Sequence, residues 1–206
     1  MKTKGKINMF SIKKSCYFWI RSNAVLLLIA ALLLTNLSCW NKYENGISLF
    51  LFELFSECFL ILLSLVYGTK TKKQYTSPRK RILKKSNVTQ GILVFLFISI
   101  FFSYALNGMV PFPSSLLYIS LSVNLIMAIY SLIAPSWVLK IYEYNIYEAP
   151  NGWISDLLRY FLFFAWSVNY EVQVVLYRLP FLLQRLLGII FIIVLLINIF
   201  LISSMF

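Results

Sequence analysis

Two carboxylates, Glu53 and Glu57, lie in an apolar run over residues 47–67. Their spacing of four puts both side chains on one face of a helix, one turn apart. At 1.5 Å per residue, Glu53 lies about 9 Å and Glu57 about 15 Å from the start of the run, so Glu57 is near the middle of a bilayer. A carboxylate at that depth is costly unless it is protonated or paired. The pair predicts an ion- or proton-binding site, or a contact with a basic residue of a partner.

The chain's own cations are poorly placed to neutralise this pair. The arginines near apolar runs are all expected closer to the inner membrane face than Glu57, namely Arg21, Arg159, Arg178 and Arg185. A basic residue from another protein is therefore an alternative source of positive charge.

Absent residue types exclude most catalytic chemistry. The 206 residues contain no histidine, which excludes histidine-ligated haem and the Ser–His or Cys–His nucleophile pairs. The three cysteines, Cys16, Cys39 and Cys58, form no CxxC motif, and no Walker A or GxGxxG motif is present. We expect no enzymatic activity, no metal and no cofactor.

Apolar residues make up 60% of the chain and gather into runs long enough to cross a bilayer. Because no water satisfies backbone amides in hydrocarbon, such runs must be helical. We predict an all-α polytopic membrane protein without a separate soluble domain. Its expected segments are a basic inner N-terminus over 1–23, transmembrane hairpins over 24–67 and 91–138, a basic loop over 68–90, an inner loop with an amphipathic helix over 139–180, and a last span over 181–206.

A basic start before an apolar run is also typical of a signal peptide. The end of the first run resembles a lipoprotein cleavage box only loosely, because Asn36 stands where leucine is preferred. We therefore interpret this run as an uncleaved first span.

The basic loop carries the strongest topological signal. It contains no acidic residue and eight basic ones: Lys70, Lys72, Lys73, Arg79, Lys80, Arg81, Lys84 and Lys85. Such loops stay on the cytoplasmic, matrix or stromal side, which puts the N-terminus there too. The loop is expected to bind anionic lipid headgroups or an acidic partner. The net charge of +12 does not indicate nucleic acid, since no folded hydrophilic surface remains to bind it.

Residues 154–179 show a heptad pattern. Apolar residues recur at spacings of four and three, at Ile154, Leu158, Phe161, Ala165, Val168, Val172, Val175 and Leu179. The opposite side, here called the polar face, carries Asp156, Arg159, Ser167, Asn169, Glu171, Gln173 and Arg178. Immersed in lipid, this face is costly, so we predict an interfacial helix with its polar face in water. That gives five transmembrane helices; if the segment crosses, there are six.

The fourth run contains a stripe of small and polar residues, Ser120, Asn124, Ala128 and Ser131. Such stripes allow close helix approach, and Asn124 can hydrogen-bond across the contact. Helix packing is the favoured role over substrate contact.

The leading functional hypothesis is a non-catalytic subunit or assembly factor of a membrane protein complex. A rival is a small proton- or cation-coupled transporter or channel, with Glu53 and Glu57 as the binding pair and Asn124 as a polar neighbour. A weaker alternative is a lipid-handling membrane protein.

Overall fold

The computed structural model describes residues 10–41, 43, 46–69, 85–105, 109–150 and 152–206. Within these ranges the chain is all-α, as predicted, and forms no β-strand. The helices are α1 Ile12–Leu34, α2 Ile47–Gly68, α3 Lys85–Ala105, α4 Ser114–Ile133, α5 Pro135–Glu143, α6 Trp153–Leu176 and α7 Phe181–Met205. A short 3₁₀ turn, Leu37–Cys39, follows α1, and a π-helical segment, Tyr144–Glu148, follows α5.

Four helices are long and apolar enough to cross a membrane: α1, α2, α4 and α7. The apolar part of α3 is shorter, Gly91–Phe102. Large apolar side chains are exposed along α1, α2 and α7, among them Leu27, Phe50 and Phe200. In water such surfaces are unfavourable, whereas lipid accepts them. These four helices are consistent with the multi-pass membrane protein predicted from the sequence.

One group of helix ends meets around Cys39 and is called the Cys39 end. The N–H of Asn41 donates to the carbonyl of Met205 at 2.7 Å, joining the connection between α1 and α2 to the end of α7. The Asn36 amide donates to the Ser114 hydroxyl at 2.9 Å, joining the end of α1 to the start of α4.

The opposite ends meet around Gly68, and this side is called the Gly68 end. The N–H of Ser11, before α1, donates to the Gly68 carbonyl at 2.8 Å. Arg178 donates to the Tyr67 carbonyl at 3.4 Å, near the end of α2. Arg185 donates to two carbonyls in the last turn of α4, those of Ser131 and Ile133, both at 3.3 Å. Both arginines thus satisfy carbonyls that a helix C-terminus leaves without intrahelical partners.

Three helix boundaries differ from the sequence prediction. α1 begins at Ile12, not at residue 24, because Lys13 and Lys14 are good helix formers whose exposed side chains can reach water. α3 begins at Lys85, inside the segment assigned to the basic loop. α4 ends at Ile133, not at residue 138, because Pro135 opens a new helix and forces Ala134 out of the helical conformation.

α5 and the π-helical segment run antiparallel to α6. Tyr142 stacks on Tyr170 with ring centroids 4.2 Å apart, and Arg159, near the start of α6, donates to the Ala149 carbonyl at 3.3 Å. The Tyr170 hydroxyl donates to Glu143 at 2.8 Å. Burial, with the neighbouring Tyr147 and Glu171, raises the pKa of Tyr142, so its hydroxyl stays protonated.

The prediction that the polar face of α6 lies in water is wrong. Asn169 is 0% exposed, Gln173 is 2% exposed, and Asp156 and Arg159 of the polar face are also buried. By contrast, Ile154 and Leu158 of the heptad pattern are exposed. Where lipid is the solvent, apolar side chains can face outward and polar ones gain partners by packing inward. Ala165, Val172 and Val175 of the heptad pattern are nevertheless buried, so the middle of α6 is buried on both its apolar and its polar side.

Candidate functional site

The predicted acids lie on the hairpin formed by α1 and α2. Glu53 and Glu57 are both half-buried on α2. The Trp19 indole of α1 donates to Glu57 Oε1 at 2.6 Å. Trp19 lies in the segment predicted to be a basic N-terminus, so this contact was not expected from the sequence.

Each acid keeps one buried oxygen without a hydrogen-bond partner, Oε1 of Glu53 and Oε2 of Glu57. Among the described residues, no lysine or arginine forms an ion pair with either of them. Arg21 lies two residues after Trp19 on α1, but its side chain is exposed. A buried acceptor without a donor costs free energy, so these oxygens call for a proton, a cation or a partner's donor.

A second polar contact joins α2 to α7. The Asn198 amide donates to the Ser56 hydroxyl at 2.8 Å, while its Oδ1 is buried without a donor. Ser56 lies three residues after Glu53, so their side chains are neighbours on the surface of α2. Asn198 was not singled out from the sequence. The sequence feature that could have identified it is that Asn198 is the single asparagine in the apolar run over 181–206.

The largest polar cluster lies between α4 and α6 and is called the α4–α6 network. The Asn124 amide donates to the carbonyls of Ser120 at 2.8 Å and Ala165 at 2.7 Å, and Asn124 Oδ1 accepts the N–H of Asn169 at 2.7 Å. In a regular α-helix the Asn169 N–H pairs with the Ala165 carbonyl. Asn124 thus bonds to both members of one backbone pair of α6.

The network continues on both sides of Asn124. The Ser120 hydroxyl donates to the Phe164 carbonyl at 3.1 Å. The Asn169 amide donates to Ser131 Oγ at 3.3 Å, and the Gln173 amide donates to Asn169 Oδ1 at 3.4 Å. Ala128, the small residue of the stripe, is 1% exposed and leaves room for close packing.

The structure separates residues that the transporter hypothesis had grouped together. Asn124 has both amide hydrogens and its oxygen engaged by α4 and α6, whereas Glu53 and Glu57 lie on the α1–α2 hairpin. Asn124 is therefore not the polar neighbour of the acids. That neighbour is the Ser56–Asn198 pair of α2 and α7.

The basic residues proposed to bind lipid or an acidic partner fall mostly outside the described residues: Lys70, Lys72, Lys73, Arg79, Lys80, Arg81 and Lys84. Lys85 is the first residue of α3, and its side chain is likewise not described.

The acidic and cysteine side chains of the described residues are spread over separate parts of the molecule. In the described part of the chain, no group of three or more Cys, Asp or Glu side chains is arranged to hold a metal ion. Asp156 forms an ion pair with Arg159 beside the π-helical segment, which fixes the start of α6. On the hairpin, Glu57 accepts a hydrogen bond from an indole. Ion pairing, cation binding and helix contact are open to the two acids.

The chain matches no known protein family, and no curated protein or solved structure is significantly similar to it. The function has to be argued from the residues themselves.

Proposed function

We propose that this protein is a non-catalytic integral membrane subunit or assembly factor, which binds a partner's transmembrane helix through Glu57 on the α1–α2 hairpin. The observation that carries the proposal is a carboxylate near the middle of a membrane-length helix, with one oxygen buried and unpaired. Mid-membrane acids are retained where a partner offers a cation or a donor.

The position of α1 supports an external partner. Its inner side packs on α2 through Leu26 and Leu33, and α1 reaches α4 at Asn36. Its other sides expose Val25, Leu27 and Leu28. A partner helix lying along this edge would meet apolar side chains above and below a basic residue aimed at Glu57.

The proposed threading has five spans, α1, α2, α3, α4 and α7. Support comes from the ends: α4 finishes and α7 begins at the Gly68 end, so the segment from α5 to α6 leaves and returns on one side. The chain segments next to the Gly68 end carry five basic residues: Lys13, Lys14, Lys140, Arg178 and Arg185. By sequence, the connection between α1 and α2 contains one basic residue, Lys42, two residues before the acidic Glu44, and residues 109–115 and 203–206 contain none. The charge bias favours the Gly68 end, with the N-terminus and the basic loop, as the inner side.

Cysteine labelling tests this threading. A variant that keeps Cys39 and carries Cys16→Ser and Cys58→Ser should react with a membrane-impermeant maleimide in intact cells or organelles. A matched variant with all three cysteines replaced and Lys140→Cys added should react only after permeabilisation. The reverse pattern would exclude the proposed orientation.

Native mass spectrometry after mild detergent extraction tests the subunit role. The wild-type chain should retain a stoichiometric membrane partner. Glu57→Gln should reduce that partner at least about tenfold, the effect of about 1.4 kcal/mol. Glu148→Gln removes an exposed acid outside the four membrane-length helices and serves as the matched control. A wild-type chain that is a lone monomer, or a Glu57→Gln chain that keeps its partner, contradicts the proposal.

A second candidate function is cation-coupled transport, and the Asn198–Ser56 contact beside Glu53 favours it. It predicts that Glu53→Gln abolishes cation flux in proteoliposomes while expression and folding are unchanged. If Glu53→Gln loses a partner but keeps its cation flux, only the subunit role remains supported.

A further inference from the structure

Ser56 of α2 contacts Asn198 of α7 about halfway along α2, and the helical spacing of three places Glu53 next to Ser56. Ser56 is nine residues into α2, about 14 Å from its first residue. These three residues are called the α2–α7 oxygen site.

The two unsatisfied atoms of this site are both oxygens that lack a hydrogen-bond donor. Glu53 Oε1 and Asn198 Oδ1 are both buried acceptors without a donor, and Asn198 as a whole is only 4% exposed. Nothing among the described lysines and arginines pairs with Glu53. A buried carboxylate and a buried amide oxygen are each costly when unpaired. A single positively charged ligand would satisfy both.

The donor set defines the class of ligand. Carboxylate, hydroxyl and amide oxygens are hard ligands that suit alkali and alkaline-earth cations, whereas soft metals prefer sulfur and imidazole. One carboxylate at this depth is balanced by one positive charge. Glu57, one turn further along, is already bonded to Trp19 on the other side of the hairpin.

We propose that Glu53, Ser56 and Asn198 bind one monovalent alkali cation. Toward the Cys39 end, Ser48 of α2 and Ser204 of α7 approach within 3.2 Å. Toward the Gly68 end, the rings of Phe59 and Phe191 stack with centroids 5.2 Å apart. This site does not depend on the proposed subunit role.

The test is thermal unfolding of the full chain, purified free of partners in mild detergent. Unfolding is followed in NaCl, KCl or choline chloride at one ionic strength. Either alkali cation should raise Tm relative to choline, by about 3 °C at ten times its Kd. Glu53→Gln should remove this rise, while the matched control Glu148→Gln should keep it.

Three results would overturn the site. One is an equal Tm in alkali and choline salts, and another is a rise that persists in Glu53→Gln. The third is stabilisation obtained by acidification from about pH 8 to about pH 5 in choline with no further effect of alkali ions, which would indicate a bound proton. If Glu53→Gln does not fold, Ser56→Ala is tested instead. It must raise the half-saturating cation concentration severalfold, and an unchanged concentration would overturn the site. Because no partner is present, these outcomes are separate from the co-purification experiment.

Discussion

The α4–α6 network and the α1–α2 hairpin both place polar side chains inside an apolar molecule, yet they differ in completeness. Asn124 uses both amide hydrogens and its oxygen, and Asn169, 0% exposed, bonds through its backbone and its side chain. On the hairpin, Glu53 and Glu57 each retain a buried oxygen without a donor.

This difference distinguishes polar side chains that stabilise the fold from polar side chains that are available to bind a ligand or a partner. A fully bonded network stabilises one arrangement of helices and has nothing left to offer a ligand. Unpaired buried acceptors destabilise the isolated chain and are satisfied when a cation or partner binds. We therefore assign α4–α6 to folding and the hairpin, with the adjacent α2–α7 oxygen site, to binding.

The largest expected effect is on the network. Asn124→Ala removes bonds to Ser120, Ala165 and Asn169 and leaves a cavity, which should cost about 2–3 kcal/mol of unfolding free energy. Thermal unfolding in detergent should show Tm lowered by about 6 °C. Asn41→Ala, which removes an exposed amide at the Cys39 end, is the control. Equal Tm values for the two variants would remove the distinction between the regions.

A smaller effect is expected at the edge of the same network. Ser131→Ala deletes the acceptor of the Asn169 amide but leaves the bonds of Asn124 in place. The cost should be about 1 kcal/mol, measured in the same detergent. A loss as large as that of Asn124→Ala would mean that Asn124 is not the centre of the network.

The smallest loss is expected on the hairpin. Trp19→Phe keeps most of the ring but removes the donor to Glu57 Oε1, and the half-exposed position limits the cost to about 0.5 kcal/mol. Trp137→Phe, an exposed tryptophan of α5, is the control. A loss above about 2 kcal/mol would show that the hairpin depends on this bond for folding.

The sequence predicted the elements whose limits are set by local chemistry. α2 follows Gly46, whose φ of +82° favours glycine, and α7 follows Pro180, so both match their apolar runs closely. The start of α1 was not predicted because Lys13 and Lys14 were interpreted as part of a basic N-terminal segment, although lysine has a high helix propensity.

The sequence could not show that the polar side of α6 faces inward together with part of its apolar side. A heptad pattern identifies the apolar side, but whether that side faces protein or solvent depends on whether the solvent is water or lipid. The bonds of Asn169 and Gln173 are made across helices and leave no local spacing signal. The acids at 53 and 57 were found because a charge in an apolar run is visible without tertiary information.

The thermal stability of Glu57→Gln, compared with wild type in the same detergent and without a partner, tests the central distinction most directly. Glutamine keeps an oxygen for the Trp19 indole and removes an unpaired charge, so Tm should be unchanged or higher. A fall in Tm as large as that of Asn124→Ala would show that the carboxylate is already satisfied within this chain, which would contradict its assignment to binding.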